Sequence, residues 1–448
     1  MNLFKLSRRD WLRYFALALL GASQSRWFPQ FARAAARDPQ RRRQCILLWM
    51  TGGPSQTDTF DMKPGHANGG EFKEVATRTP GIRFSEHLPR LAQNSEYMAI
   101  VRGLSTREGD HGRGTFLIRT GQAPGGPLRY PTIGSLLSKE LGDETASLPN
   151  YVSISPYTAF NPAAYAPGFL GPRYAAATVG ERGSSNQQAE QDPADAEQYA
   201  QLGVDYLQFP SGVTRAQAQS RLKMWESLQR SFLETRRTPT TIAQDTVYRR
   251  AVAMMDSEAA KAFDLSEEPD KVRSAYGRSR FGQGCLMARR LIERGVPFVE
   301  VSLGFEAASL GWDTHVNNFP AVRSLSAQLD AGWGTLMSEL KERGLLETTT
   351  ILWIGEFGRT PKINANAGRD HFPNAWTCVF AGGGIQGGQY YGKTSDSGEE
   401  VVDGKVEIGD VLATLCWAVG VDPSTENVSE EGRPLKIAQG KPINAILA

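Results

Sequence analysis

Residues Cys45-Ile46-Leu47-Leu48-Trp49-Met50 form an unbroken apolar run that stops at Thr51-Gly52-Gly53-Pro54. A strand with one wet face alternates apolar and polar residues. An unbroken run of this length reads as a strand covered on both faces, ended by a loop. Met98 to Val101, Tyr151 to Ile154, Pro297 to Leu303, the β-branched Thr349 to Ile354, and Trp376 to Ala381 read as further strands. Helical periodicity occupies Thr132 to Leu141, Thr214 to Arg236, Thr241 to Phe263, Ser274 to Arg294, Ala321 to Arg343 and Ile408 to Val419. Within the fourth of these, Leu286, Leu291 and Ile292 make an apolar face. Strands that alternate with helices specify an α/β fold with a mostly parallel sheet. Residues 180–295 are mostly helical and read as an insertion or cap, opened by a polar surface excursion at 180–200. No internal repeat is visible.

In open α/β sheets ligands collect at the carboxyl ends of strands, so the loops after the runs carry the candidate chemistry. After Met50 comes Gly52-Gly53-Pro54-Ser55-Gln56-Thr57-Asp58-Thr59-Phe60-Asp61. Its glycines let backbone approach a ligand closely. Asp58 or Asp61 offers a carboxylate to a metal, and Ser55 a hydroxyl to an anion; an Asx turn is the structural alternative. After Leu303 comes Gly311-Trp312-Asp313-Thr314-His315, where a carboxylate and an imidazole two residues apart in extended backbone share a face. They are hard and borderline donors suited to a divalent metal. After Ile354 comes Gly355-Glu356-Phe357-Gly358-Arg359-Thr360-Pro361, with Glu356 at the strand end; Arg359 either pairs with it or holds an anionic substrate. Gly368-Arg369-Asp370-His371-Phe372-Pro373 supplies another carboxylate–imidazole pair. Histidine is scarce, at 5 in 448 residues, yet His315 and His371 both lie beside carboxylates in these loops. His111, in Asp110-His111-Gly112-Arg113-Gly114, does the same. That concentration points to a metal or anion site. His66 and His87 lack such company and read as surface or packing residues.

The N-terminus reads as an address. Ser7-Arg8-Arg9-Asp10-Trp11-Leu12-Arg13 has the paired arginines, apolar element and following basic residue of a twin-arginine signal, which makes the twin-arginine translocase a partner. The apolar run Tyr14 to Ala22 falls well short of the roughly 20 residues that span a bilayer. Ala32, Ala34, Ala35 and Ala36 suit cleavage. The signal then covers residues 1–36, and a mature part over 37–448 works in the periplasm or otherwise outside the cytoplasm, with no transmembrane span left after cleavage. Residues 1–36 carry Lys5, Arg8, Arg9, Arg13, Arg26 and Arg33 against Asp10, so the total charge of +2 falls to near −3 once they are removed. The basic balance therefore reports the signal, and no basic stripe with interleaved aromatics marks a nucleic-acid partner. Cys45, Cys285, Cys378 and Cys416 each sit in or beside an apolar run without C-x-x-C spacing and read as buried free thiols. That suits a chain folded before it meets an oxidising compartment.

Taken in order, these loops resemble the exported bacterial family known as domain of unknown function 1501. The resemblance covers nearly the whole mature chain. It runs from Gly52 to Asp58 through Phe281-Gly282-Gln283-Gly284-Cys285 and Ala288-Arg289-Arg290-Leu291 to Trp312-Asp313-Thr314-His315, Glu356 to Pro361 and the helix of Asp410. That family in turn resembles the alkaline phosphatase and sulfatase superfamily. The resemblance implies a three-layer α/β core, one or two divalent metals, commonly zinc, and hydrolysis of phosphate or sulfate esters. It implies metal ligands at Asp58, Asp313, His315, Glu356 and His371, with Asp313, His315 and His371 forming one site and Asp58 and Glu356 a thinner one. Leu117-Ile118-Arg119-Thr120-Gly121 resembles the end of the sulfatase nucleophile motif, and the nucleophile position falls on His111. The resemblance therefore leaves three readings: His111 as nucleophile or extra ligand, Thr115 or Ser55 in its stead, or a degenerate site that binds an envelope glycan or a partner protein without reacting. Arg359 is the candidate contact for the anionic ester.

Overall fold

The computed structural model of the chain describes residues 43–448, apart from 144, 182–197, 205–206, 208–211, 237, 256–257 and 305–310. The signal over 1–36 and most of the polar excursion lie outside the described residues. Among the described residues the central sheet has nine strands. In chain order they are β1 (Gln44–Met50), β2 (Met98–Leu104), β3 (Tyr151–Ile154), β4 (Ala177–Glu181), β5 (Leu202–Gly203), β6 (Phe298–Leu303), β7 (Thr349–Gly355), β8 (Trp376–Gly382) and β9 (Gln389–Tyr391). Across the sheet they run β9-β2-β8-β7-β1-β6-β3-β4-β5. Strand β1 pairs in parallel with β6 on one side and β7 on the other, while β8 runs antiparallel to both β7 and β2. The longer helices are α1 (His111–Thr120), α2 (Ile133–Leu141), α3 (Arg215–Thr235), α4 (Pro239–Met255), α5 (Arg280–Glu293), α6 (Asn318–Glu342) and α7 (Ile408–Ala418).

The unbroken apolar character of β1 is explained by two cores. Ile46, Leu48 and Met50 join one core with residues of α5 and α6. Cys45, Leu47 and Trp49 join another, on the opposite face, with residues of α2 and α7. The result is the expected three-layer α/β architecture, in which each fully buried Leu or Ile contributes about 1.5–3 kcal/mol. All four cysteines are buried and unpaired. Among the described residues, no helix is long and apolar enough to cross a membrane.

The helical readings needed three corrections. The stretch from Ser274 to Arg294 is not one helix: Gly277 at φ 85° ends a helix at Asp270–Tyr276, and the Ser279 side chain accepts from Gly282 N to start α5. Of the α-helix expected to reach Phe263, the described part is α-helical over Pro239–Met255, and Glu258–Phe263 is a 3-10 helix instead. Helix α1 was not expected, because its first four residues include two glycines, which disfavour helix. Its ends are nonetheless well marked. The Asp110 side chain accepts from Arg113 N, and Gly121 at φ 69° closes the last turn.

Candidate metal centre

The sheet topology gathers the candidate residues at one edge. Strands β1, β2, β6 and β7 all point their carboxyl ends the same way, since β2 and β7 are each antiparallel to β8. Glu356 directly follows β7, Asp313 and His315 follow β6, and His111 opens the helix that follows β2. His371 sits in a two-residue ribbon, paired with Arg359, just before β8.

Three imidazoles are anchored there in the same manner. His111 Nδ1 lies 2.7 Å from Glu356 Oε1, His315 Nδ1 2.8 Å from Asp370 Oδ1, and His371 Nδ1 2.7 Å from the Gly109 carbonyl oxygen. Each of those oxygens only accepts, so each Nδ1 carries a proton, and a ring in its neutral form presents its Nε2 lone pair. All three Nε2 atoms converge on Asp313 Oδ1, at 3.3 Å from His111, 3.1 Å from His315 and 3.3 Å from His371. The Nε2 atoms of His315 and His371 stand 3.0 Å apart. Two lone pairs at that distance repel, so a proton or a metal cation must lie between them. His111, Asp313 and His371 each bring one donor atom within 4.8 Å of the others, as shared ligation of one ion requires. Anchoring at Nδ1 is how ligating histidines are oriented and made more basic.

Charge decides in the same direction. Asp313, Glu356 and Asp370 bring three carboxylates against the single guanidinium of Arg359, which leaves two uncompensated negative charges if the imidazoles are neutral. Glu356 is fully buried, and its Oε2 has no hydrogen-bond partner. Burial lowers the His111 pKa, but hydrogen bonds with Asp313 and Glu356 outweigh it and bring the value up to about 9, so without an ion a proton sits at His111 Nε2 and a bound metal would displace it. Burial opposes ionisation of Asp313, yet His111, His371 and Arg359 hold its carboxyl well below the usual carboxylate range. The hydrogen bond from His315 likewise lowers Asp370. The residues present fit a divalent ion: lone pairs converge where negative charge is in excess. Side-chain exposure rises from 0% at Glu356 through 13% at His111 and 26% at His371 to 41% at His315, so the centre opens to solvent at His315.

Neighbouring groups stiffen this arrangement. The Phe160 ring stacks on His111 at 4.4 Å and 9°, and Phe357 lies 4.9 Å from it on a tilted plane. Arg359 is fully buried and donates to Asp313 Oδ1 at 2.6 Å, to Gly53 O at 3.0 Å and to Gly52 O. Its partner is thus Asp313, not Glu356. Burial depresses the Arg359 pKa, against the pull of Asp313. The glycines serve these contacts rather than a ligand. A Cβ on Gly52 (φ +107°) would lie 2.5 Å from Asp313 N, and one on Gly53 (φ +76°) 2.6 Å from the Phe357 carbonyl oxygen. Gly52 N donates to Glu356 Oε1 at 2.8 Å.

The remaining candidates make no hydrogen bond to Asp313 or to the three imidazoles. Asp58 accepts from Arg369 at both oxygens, 2.7 and 2.9 Å, and from Asn318 Nδ2 at 2.8 Å; all three side chains are buried. Ser55 Oγ is 3.2 Å from Thr57 Oγ1. Asp61 meets Lys63, Arg102 and Thr394. Thr115 Oγ1 is buried without a partner. Arg369, Asn318, Phe160 and the Gly109 carbonyl were not read from sequence. Nothing local signals them, since Arg369 and Asp58 are 311 residues apart.

An α/β chain with a histidine–aspartate centre at its strand ends is therefore the class the fold and site define. A family profile described as "Protein of unknown function (DUF1501)" matches residues 42–447, and the chain belongs to that family. No curated protein matches the chain in sequence. Among solved structures, it is similar to the PsFucS1 sulfatase from Pseudoalteromonas sp., with 12% identity, TM-score 0.40, and coverage of 89% of this chain and 72% of that one. It is also similar to the lipoteichoic acid synthase LtaP from Listeria monocytogenes, with 8% identity, TM-score 0.40, and coverage of 89% and 75%. A third is the phosphonate monoester hydrolase SpPMH from Silicibacter pomeroyi, with 13% identity, TM-score 0.37, and coverage of 90% and 76%.

Proposed function

We propose that this chain is an exported, metal-dependent hydrolase of phosphate or sulfate esters, with one divalent ion held by His111, Asp313, His315 and His371. The observation that carries this reading is the convergence of three Nδ1-anchored imidazoles on one carboxylate oxygen. Zinc suits three nitrogens and one oxygen. Bound there, such an ion would supply Lewis-acid charge to a phosphoryl or sulfuryl oxygen. The chain's own residues do the rest. Glu356 and Asp370 fix the rings of His111 and His315. Phe160 and Phe357 keep water from the buried side of His111. Arg359 holds Asp313 in place and leaves the solvent-facing side at His315 for the anionic ester. His111 then acts as a ligand rather than a nucleophile, and water attacks the ester directly.

One observation favours a second reading, in which the chain binds an anionic glycan or a partner protein without turnover. Neither Ser55 nor Thr115 hydrogen-bonds to the cluster. The two readings separate in one experiment. Protein purified from its host is assayed for metal and for turnover of aryl phosphate and aryl sulfate esters. The enzyme reading expects about one divalent ion per chain and turnover that chelation abolishes and the metal restores. A metal-bearing protein without turnover leaves only the binding reading, and a metal-free protein contradicts both the ion and the enzyme.

A further inference from the structure

The fold answers only half of the Glu356 carboxylate. Its Oε1 accepts from Gly52 N at 2.8 Å and stands 2.7 Å from His111 Nδ1. Its Oε2 is buried and has no hydrogen-bond partner among the described residues. A buried carboxylate needs donors at both oxygens, and an ordered water ordinarily serves a buried polar atom that no protein group reaches.

Helix α1 shows where that water would sit. His111, Thr115 and Arg119 recur every four residues and stay within about 80° of one another, so they form one row along the helix. Glu356 meets the first of the row through Oε1. A Cβ on Gly114 would lie 3.4 Å from Glu356 Cβ, so the helix rests directly on this side chain. Tyr165 covers the third: its ring is 3.8 Å from the Arg119 guanidinium, and Ala164 O accepts from Arg119 Nε at 3.0 Å. Thr115 stands between them and is fully buried. Its Oγ1 and the Tyr165 hydroxyl are both buried without a partner. Burial, with the charges of Glu300 and Glu356, raises the Tyr165 pKa against the pull of Arg119, so the phenol keeps its proton to donate.

Charge selects the occupant. Arg119 is buried and already held by both oxygens of Glu300, at 2.9 and 2.6 Å. A cation in this layer would face that guanidinium, and an anion would face Glu356. Water suits both neighbours, because it donates to a carboxylate and accepts from a hydroxyl. We propose that a buried water joins Glu356 Oε2 to the hydroxyls of Thr115 and Tyr165, which makes these two positioning residues for the His111 ring. The effect on zinc rests on His111 being a metal ligand; the water itself does not.

Thr115→Val and Tyr165→Phe each remove one oxygen and keep the shape of the side chain. The first readout uses metal-free protein. Where Thr115 holds the water, Thr115→Val strands Oε2 and the urea midpoint falls; were Oγ1 merely unpaired, its removal would leave the midpoint unchanged or raise it. The second readout is zinc affinity by competition with a chelating dye. Each variant should bind about tenfold more weakly, the lower end for an orienting partner. The double variant should lose little more than either single one, since both act through one water, and Thr115→Ser should bind as the wild type does. A crystal structure of the metal-free chain should show the water about 2.5–3.0 Å from Oε2. A Thr115→Val midpoint that does not fall, additive zinc losses, or a protein group at Oε2 in place of water overturns the proposal. A wild-type chain that binds no zinc overturns the metal centre alone, and the midpoint and the crystal structure then decide on the water.

Discussion

Asp58 and Asp313 stand at the same sheet edge, and the chain treats them in opposite ways. Asp58 is met by the fork of Arg369 and the amide of Asn318, so every partner it needs is protein. Asp313 is met by Arg359 at one oxygen and by three ring nitrogens that are acceptors when neutral. Asp58 has protein donors at both oxygens. Asp313 shares its Oδ1 between Arg359 and three ring nitrogens, so a cation beyond Arg359 can be held among their lone pairs. This contrast separates bracing from chemistry more sharply than residue type, since both sites are built from Asp, Arg and buried polar groups.

The contrast is broken most strongly at Arg369. Arg369→Ala strands a fully buried Asp58 and should cost about 3–5 kcal/mol of stability, seen as a large drop in the urea midpoint with m unchanged. The metal affinity of the protein that remains folded should not move. His371→Ala should do the reverse: zinc affinity falls by at least about a hundredfold, beyond the range typical for removing an orienting partner, while the unfolding midpoint of metal-free protein shifts little. Asp370→Ala removes the anchor of His315 Nδ1, together with a longer bond from Asn364 Nδ2, and should weaken zinc by about ten- to a hundredfold, as read by competition with a chelating dye. The smallest effect lies far from the centre, at Glu268. Burial raises its pKa, but Arg289 and Arg290 outweigh that and lower it below the ordinary value of 4.5. Its contribution is therefore complete above about pH 4.5 and fades as pH falls through the folded-state value. Glu268→Gln should flatten that acid limb in urea melts between pH 3 and 7.

Much of this was legible in the chain itself, for reasons that differ between residues. Strand β1 announced itself because a parallel strand buried on both faces has no polar positions to disguise it. Asp313, His315, Glu356 and His371 stand out in the sequence because they follow strand ends, and His111 because histidine is scarce; the structure brings these residues together. Helix α1 was missed because His111-Gly112-Arg113-Gly114 has poor helix propensity, although Asp110 and Gly121 marked both ends. The role of Asp58 was illegible. It depends on Arg369 arriving from the far end of the chain, and no local pattern encodes a contact at that separation. The same holds for Gly52, whose missing side chain makes room for the backbone of Asp313 rather than for a ligand.

X-ray absorption at the zinc edge, on protein stripped of metal and reloaded with one equivalent, tests the centre most directly. The account predicts a tight shell of three nitrogens and one oxygen at about 2.0–2.1 Å, with imidazole scattering that diminishes by one ring in His111→Ala, His315→Ala or His371→Ala. Zinc that is not retained, or a shell unchanged in all three variants, would contradict it.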